Sequence, residues 1–311
     1  MTARAWSEAW QDALYGPSGF FLRAIPGEHF RTNVAVPLFA DAVRCLAERV
    51  DTALSFPDPF DLVDVGAGRG ELLLALGDVP GRWRLTGVDL ADADADVPFA
   101  WSHEIPSMTG LLLANEWLDA VPLDVLEDGQ LVLVDVEGTE SLGPPLASTW
   151  LDRWWPSGGR VEIGESRDLA WAAAVAKVRR GVAVAIDYGH AVDPGHQLRP
   201  RRATLTGYRS GRQVRPVPDG SCDLTAHVAM DSCAAATGAR LLSQRDALGL
   251  LGISASLPAA ADPTYAASLQ RASQARELLD PDGLGGFSWL IQEVDVAADW
   301  MGAVNRQGGA A

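Results

Sequence analysis

The sequence is poor in cysteine and has no cysteine pair spaced for metal binding. Its three cysteines are Cys45, Cys222 and Cys233, and none of them lies in a Cys-x-x-Cys pair. An odd number of cysteines in a chain of 311 residues does not suggest a disulfide scaffold. We therefore predict no metal site, and we expect a reducing, cytoplasmic location.

Positive charge and long apolar runs are also scarce. The formal net charge is −16, and no extended basic face of the kind that binds nucleic acid is visible. No run reaches the ~18 apolar residues that a membrane span requires. Residues 1–10 lack the basic and then apolar pattern of a signal peptide. These absences predict a soluble protein with neither a nucleic-acid nor a membrane partner.

The largest basic cluster lies in residues 199–215, which are rich in arginine. A solvated loop and strand would account for this cluster, because exposed charge is a weak functional signal. Contact with an anion or with a partner is the alternative interpretation.

Strand-like and helix-like segments alternate along the chain, which predicts an α/β fold with a parallel, doubly wound sheet. Residues 1–56 are expected to form a helical N-terminal segment, and residues 57–311 the sheet domain with an insertion around 121–165. Strands are predicted at 60–65, 84–90, 110–114, 123–126, 130–136, 181–187, 204–208, 239–244 and 287–294, and helices at 6–14, 37–50, 71–76 and 166–180.

A glycine-rich loop, residues 66–70 (GAGRG), follows the strand predicted at 60–65 and precedes a helix. Such a turn lets the backbone approach a ligand closely. Asp89 ends the next strand, nineteen residues beyond Gly70, where an acidic side chain accepts hydrogen bonds from ribose hydroxyls. A tight turn without a ligand and a capping aspartate are the alternative interpretations.

The acidic residues around the loop favour S-adenosylmethionine (SAM) over a dinucleotide. The dinucleotide fingerprint is GxGxxG, whereas the third glycine of this loop comes one residue early. Asp64 and Glu71 flank the loop, and their charge suits a sulfonium and an amino group but repels a pyrophosphate. The predicted cofactor-binding residues are Asp64, Gly66, Ala67, Gly68, Gly70, Asp89, Leu90 and Asn115.

Polar clusters follow two further predicted strands. Residues 115–119 (NEWLD) follow the strand at 110–114, which we expect to pair directly with the glycine-loop strand. Ligands bind at the carboxyl ends of such strands, which places Asn115 and Glu116 beside the reacting methyl group. A helix N-cap is the simpler alternative for these two residues.

A second polar cluster, residues 187–190 (DYGH), lies at the end of the strand predicted at 181–187. Asp187 and Tyr188 are candidates for binding a polar substrate, and His190 is a candidate for a base that titrates near neutral pH. A turn with a surface histidine is the alternative there.

Together these segments resemble the MidA-like family of methyltransferases, which includes the mitochondrial complex I assembly methyltransferase. The matching stretches keep the family's order over residues 15–230. They are 15–21 (YGPSGFF), 30–32 (FRT), 64–70 (DVGAGRG), 115–122 (NEWLDAVP), 187–189 (DYG) and 223–228 (DLTAHV). The chain departs from the family at 33–35 (NVA), where Ser-Pro-Glu is usual, and after Asp89, where a shortened segment implies a more open adenine pocket.

The resemblance implies a class I methyltransferase fold, with a seven-stranded Rossmann-like sheet, a helical N-terminal segment and inserted elements. It also implies methyl transfer to a protein, with arginine as the acceptor of the mitochondrial member. Glu116, and then Asp119, are the carboxylates expected to orient such a guanidinium. The predicted catalytic residues are Glu116, Asp119 and His190, and the predicted substrate or lid residues are Tyr15, Gly16, Phe20, Arg31, Asp187 and Tyr188.

The lid assignment depends on the glycines of residues 15–21, which permit movement, whereas plain packing of the aromatic residues is the alternative. A small-molecule methyltransferase and a SAM-binding assembly factor without catalysis are the alternative functions. A nicotinamide-dependent oxidoreductase fits the loop least well. The sequence is compatible with a homo-oligomer.

Overall fold

The computed structural model describes residues 3–22, 32–94, 96–155, 159–191, 199, 203–259, 263–296 and 300–301. These residues form a mixed α/β fold with several sheets. The helices are α1 (Trp6–Tyr15), α2 (Pro37–Ala53), α3 (Glu71–Ala75), α4 (Thr149–Trp154), α5 (Glu165–Val175), α6 (Met230–Thr237), α7 (Gln244–Leu250) and α8 (Tyr265–Leu278), with short 3-10 helices at Phe20–Leu22, Asn33–Ala35, Leu118–Ala120 and Leu284–Gly286. The strands are β1 (Arg4–Ala5), β2 (Phe60–Val65), β3 (Trp83–Val88), β4 (Ala100–Ser102), β5 (Met108–Asn115), β6 (Val125–Glu127), β7 (Gln130–Val134), β8 (Glu140–Pro145), β9 (Arg160–Glu162), β10 (Val178–Asp187), β11 (Gly189–His190), β12 (Thr206–Arg209), β13 (Arg212–Val214), β14 (Asp223–Thr225), β15 (Val228–Ala229), β16 (Arg240–Ser243) and β17 (Ser288–Val294).

The largest sheet contains seven strands of the described residues, in the order β16-β17-β10-β5-β2-β3-β4. Strands β10, β5, β2, β3 and β4 run parallel to one another. Strand β17 is antiparallel to both of its neighbours. The sequence predicts a parallel sheet, and the observed sheet departs from this prediction at β17. The glycine-loop strand β2 pairs directly with β5, which confirms the prediction that the strand at 110–114 is its neighbour.

Alternate side chains of the central strands enter two separate cores. Leu111 and Leu113 of β5 pack with α2 and α7 on one face of the sheet, whereas Leu112 and Ala114 pack with α5 and α6 on the other. A strand that is buried on both faces needs a continuous apolar sequence, which explains the unbroken Leu111–Ala114 run. The polar residues are thereby confined to the strand ends, where the functional residues lie.

A second sheet, in the order β1-β7-β6-β9 with β8 on β7, is formed by the insertion and by the start of the chain. Helix α1 buries Trp6, Trp10 and Leu14 in a third core that includes Leu123 and Val125 of the insertion. The N-terminal segment therefore packs on the insertion and lies beside the polar strand ends. Two small sheets, β11-β15 and β13-β12-β14, continue from the end of β10.

The predicted helix at 166–180 is too long. Helix α5 ends at Val175, and β10 begins at Val178. The difference arises because Val178 and Arg180 pair with Met108 and Thr109 of β5, which extends β10 at its start. None of the helices in the described ranges combines the length and the apolar character of a membrane span.

Candidate active site

The glycine loop needs its three glycines for conformational reasons. Gly66, Gly68 and Gly70 have φ values of 73°, 60° and 82°, in the left-handed region that disfavours other residues. A Cβ at Gly70 would also lie 2.5 Å from Phe99 Cζ. The loop therefore leads from β2 to α3 without side chains at positions 66, 68 and 70.

Asp89 lies beside this loop and fixes its shape. The Gly68 amide donates to Asp89 Oδ2 over 2.9 Å, and the Ala91 amide donates to Oδ1 over 3.0 Å. Burial raises the pKa of Asp89, and Glu71 adds to the rise. Leu90, the next residue, is 57% exposed. The predicted cofactor residues 66–70 and Asp89 are thus in direct contact, with an apolar side chain next to them in solvent.

Asp64 adds a second acidic group to this region. It is buried, and desolvation, followed by the nearby charges of Asp89 and Glu71, raises the pKa of Asp64 to about 8. Most Asp64 side chains are therefore neutral at pH 7 in the free protein. A cationic ligand would favour the ionised form of Asp64, since an opposite charge lowers the pKa of a carboxyl group.

Asn115 and Glu116 lie at the carboxyl end of β5. The Asn33 amide and Asn115 Nδ2 both donate to Glu116 Oε1, each over 3.0 Å. Glu116 has a φ of 52°, and its amide donates to the Ile186 carbonyl oxygen over 2.8 Å. Desolvation is the largest cause that raises the pKa of Glu116 to about 8, and Asp119 contributes. The strained backbone and two donors hold one carboxyl oxygen in a fixed position.

Asp119, Asp187 and Tyr188 form a buried polar group next to Glu116. Asp187 Oδ2 accepts hydrogen bonds from the amides of Leu118 and Asp119, at 2.9 and 3.1 Å. Asp119 Oδ2 accepts from the Tyr188 hydroxyl at 2.5 Å and from Thr225 Oγ1 at 2.7 Å. Burial, with Asp119 and Glu116 nearby, raises the pKa of Asp187 well above its usual value. Asp187 therefore shapes the 118–120 turn, and Asp119 joins three chain segments.

The candidate lid lies against the same group. The Tyr15 hydroxyl donates to the Ala120 carbonyl oxygen over 3.1 Å, and Phe20 is buried. The Gly16 amide caps α1 by donating to the Asp12 carbonyl oxygen, and a Cβ at Gly16 would lie 2.5 Å from that oxygen. Burial, and then Asp223 and Asp119, raise the pKa of Tyr15. Residues 15–20 thus adjoin the site in a packed arrangement, whereas Arg31 lies outside the described residues.

A cavity of about 480 Å³ opens beside Glu116 at this edge of the sheet. Its wall is acidic and aromatic and includes residues from segments far apart in the sequence. The lining residues are Glu116, Tyr188, Tyr208, Asp223, Thr225, His227, Glu277, Asp280, Gly283, Leu284 and Phe287. The structure therefore brings Glu116 and Tyr188, of the predicted residues, to one cavity.

His190 lies apart from this cavity lining. Arg199 Nη1 lies 2.7 Å from His190 Nδ1, and the imidazole ring packs edge-on against Trp155. Desolvation and the Arg199 charge lower the pKa of His190 to about 3. His190 is therefore neutral at pH 7 and a weak base, so the expectation of a base that titrates near neutrality does not agree with this environment.

Several cavity residues have no counterpart among the predicted site residues. Asp223 and His227 belong to the stretch 223–228, which the family resemblance includes, so a signal for them existed. The wall at 277–287 follows an ordinary surface helix, and no local pattern distinguishes it. Tyr208 lies in the arginine-rich segment, where charge rather than the aromatic residue stands out.

Comparisons with known proteins agree with this geometry. Residues 84–244, just over half of the chain, match the family model described as "Putative S-adenosyl-L-methionine-dependent methyltransferase", and the chain belongs to this family. Two solved structures of COG1565 superfamily proteins from Burkholderia thailandensis have a similar fold. The one bound to S-adenosyl-homocysteine is 24% identical, with 95% of this chain and 89% of that chain covered and a TM-score of 0.75. The other is 23% identical, with 97% and 90% covered and a TM-score of 0.76. No curated protein matches the chain.

The protein is therefore an enzyme, a methyltransferase with SAM as its cofactor. The residues of the loop region fit this cofactor. The left-handed glycines leave the backbone open, and the carboxyl groups of Asp64 and Asp89 suit an ammonium group and ribose hydroxyls. Asp64, the loop 66–70 and Asp89 would hold SAM, which supplies an electrophilic methyl group when bound.

Proposed function

We propose that the enzyme transfers the SAM methyl group to a cationic side chain of a protein, with arginine as the first candidate. We also propose that it is a class I methyltransferase of the MidA-like group. The strand order supports the class, because the antiparallel strand β17 lies between β16 and the five neighbouring parallel strands. The sequence stretches named above support the group.

The observation that carries the proposal is the acidic and aromatic wall of the cavity. Glu116, Asp223, Glu277 and Asp280 line it, and so does the ring of Tyr188. Carboxylates bind a guanidinium through several N–H donors, and aromatic rings attract cations through their π faces. These carboxyl groups would repel an anionic acceptor, and a purely apolar acceptor would desolvate them without offering a hydrogen bond.

Glu116 would act on the acceptor nitrogen directly. Its Oε1 is held by Asn33 and Asn115, and no described residue donates a hydrogen bond to Oε2. We assign Oε2 to bind the acceptor N–H and to receive the proton that this nitrogen loses when the carbon–nitrogen bond forms. The methyl–sulfur bond breaks in the same displacement, and its electron pair stays on sulfur. With its pKa near neutrality Glu116 suits this exchange.

The test is the fate of a labelled methyl group. The enzyme is incubated with methyl-labelled SAM, arginine and lysine peptides of mixed sequence, and a small-molecule mixture containing guanidino and amino compounds. The product is hydrolysed and separated into amino acids. Label in methylarginine supports the proposal. Label in the small molecules alone would establish the small-molecule alternative, and SAM binding without any transfer would establish the assembly-factor alternative.

We propose a cytoplasmic location, supported by the free state of Cys45, Cys222 and Cys233. A protein substrate is the proposed partner, and a homo-oligomer stays a prediction. Light scattering on the purified chain measures the oligomeric state directly.

A further inference from the structure

A buried pair of amide side chains connects both sides of the site. Asn33 and Gln244 are each 0% exposed, and Gln244 Nε2 donates to Asn33 Oδ1 over 2.8 Å. Asn33 lies just before α2, and Gln244 begins α7, so the two residues are 211 positions apart. Burying two side-chain amides is costly unless their N–H and C=O groups form hydrogen bonds. The partners in these hydrogen bonds therefore show which segments the two residues hold together.

Asn33 holds the end of β5. Its backbone N–H donates to Glu116 Oε1 over 3.0 Å, and its side-chain Nδ2 donates to Asn115 Oδ1 over 3.0 Å. Asn115 Nδ2 in turn donates to the same Glu116 oxygen. One asparagine therefore fixes both the residue expected beside the cofactor and the carboxyl group that lines the cavity.

Gln244 holds the opposite wall of the cavity, residues 277–287. Its Nε2 donates to the carbonyl oxygens of Leu278 and Leu284, at 3.2 and 2.8 Å. The backbone N–H of Gln244 donates to the Phe287 carbonyl oxygen over 2.8 Å, and its side-chain Oε1 accepts from Trp289 Nε1 over 3.1 Å. The wall that carries Glu277 and Asp280 is thus tied to Asn33 through one side chain.

We infer that Asn33 and Gln244 are positioning residues, which set the orientation of the Glu116 carboxyl group against the 277–287 wall. The inference rests on the proposed function, since it assigns a purpose to the position of Glu116. Neither residue touches the acceptor: their effect passes through Glu116 and the wall. Carboxyl groups of Asp119, Asp187 and Asp223 also face Glu116, and they repel its charge. Without fixed N–H donors the Glu116 carboxyl group would turn away from them.

The test is a double-mutant cycle of Asn33→Ala and Glu116→Gln. Asn33→Ala keeps the backbone donor to Glu116 but removes the side-chain bonds to Asn115 and Gln244. It is expected to lower kcat for an arginine peptide by about 10- to 100-fold, because a misplaced catalytic group costs this much. The dissociation constant of S-adenosyl-homocysteine should rise by a smaller factor than kcat falls, since Asn33→Ala releases Asn115 but leaves the loop and Asp89 untouched. In the Glu116→Gln background, Asn33→Ala should have no further effect on kcat. Gln130→Ala, which removes an amide in the second sheet, is the matched control.

Independent effects of the two substitutions, which multiply in the double variant, would overturn the inference, as would an unchanged kcat in Asn33→Ala. If Asn33→Ala does not fold, Asn33→Asp replaces it, because the aspartate keeps the acceptor for Gln244 and loses only the donor to Asn115. If wild-type enzyme methylates no acceptor, the proposed function fails and the network is tested alone by carboxyl NMR. Asn33→Ala frees Asn115, whose Nδ2 donates to Glu116, and weakening of this donor should then raise the pKa of Glu116. An unchanged pKa would refute the positioning role.

Discussion

Replacing Glu116 with Gln should stabilise the protein at high pH. The pKa of Glu116 rises from 4.5 to about 8 in the folded chain, and at ~1.4 kcal/mol per unit this corresponds to roughly 5 kcal/mol against ionisation. Since the pKa is higher in the folded than in the unfolded state, the wild type loses stability as pH rises from about 4.5 to about 8. Glutamine does not ionise, and its carbonyl oxygen can still accept from Asn33 and Asn115. We expect Glu116→Gln to gain about 3–5 kcal/mol at pH 9 and about 1 kcal/mol at pH 5.

Urea unfolding at the two pH values measures this difference. Asp64 titrates in the same range, but it is present in both proteins and cancels in the comparison. Glu137→Gln is the matched control, because Glu137 is exposed and its substitution should change stability equally at both pH values. An equal effect of Glu116→Gln at pH 5 and pH 9 would refute the raised pKa of Glu116 on which the mechanism depends.

Three further substitutions test individual parts of the site. Gly68→Ala should weaken S-adenosyl-homocysteine binding at least about tenfold in calorimetry, because Gly68 has a left-handed φ of 60° in the cofactor loop. Gly129→Ala carries similar strain at φ 82° in a distant turn and should leave affinity unchanged; equal affinity in both variants would refute the loop assignment. His190→Gln should retain turnover within about threefold, since His190 is bound to Arg199 outside the cavity lining, and a loss above about 100-fold would restore it as a catalytic base. Tyr188→Phe removes a donor to Asp119 and should lower the free energy of unfolding by about 1–2 kcal/mol in urea; an unchanged value would mean that this hydrogen bond does not stabilise the fold.

The sequence predicts the central strands well because their signal is local. The strand at 60–65 has the observed bounds, and the glycine loop that follows it can adopt its left-handed angles only with glycine. The family-like stretches also place Asn115 and Glu116 at the end of a strand next to that loop. The strand and the loop depend on residues within about ten positions of one another, which a pattern can detect, whereas the pairing of β2 with β5 is expected from the class of sheet.

The cavity beside Glu116 depends on contacts between distant segments, and no local sequence pattern predicts these contacts. Asn33 contacts Glu116 across 83 positions, and Gln244 contacts Asn33 across 211. A single buried amide leaves no periodic pattern, and residues 277–287 look like an ordinary helix end. His190 shows the opposite error, since a histidine after a strand looks catalytic until its neighbours Arg199 and Trp155 are seen.

The most direct test of the central claim is methyl transfer from labelled SAM to an arginine peptide by wild type and Glu116→Gln, with S-adenosyl-homocysteine affinity measured on the same samples. The acidic cavity predicts methylarginine from the wild type, turnover lower by about 100-fold or more in Glu116→Gln, and cofactor affinity equal within about threefold. Equal turnover in the two proteins, or a parallel loss of turnover and cofactor affinity, would contradict the role of Glu116 at the acceptor.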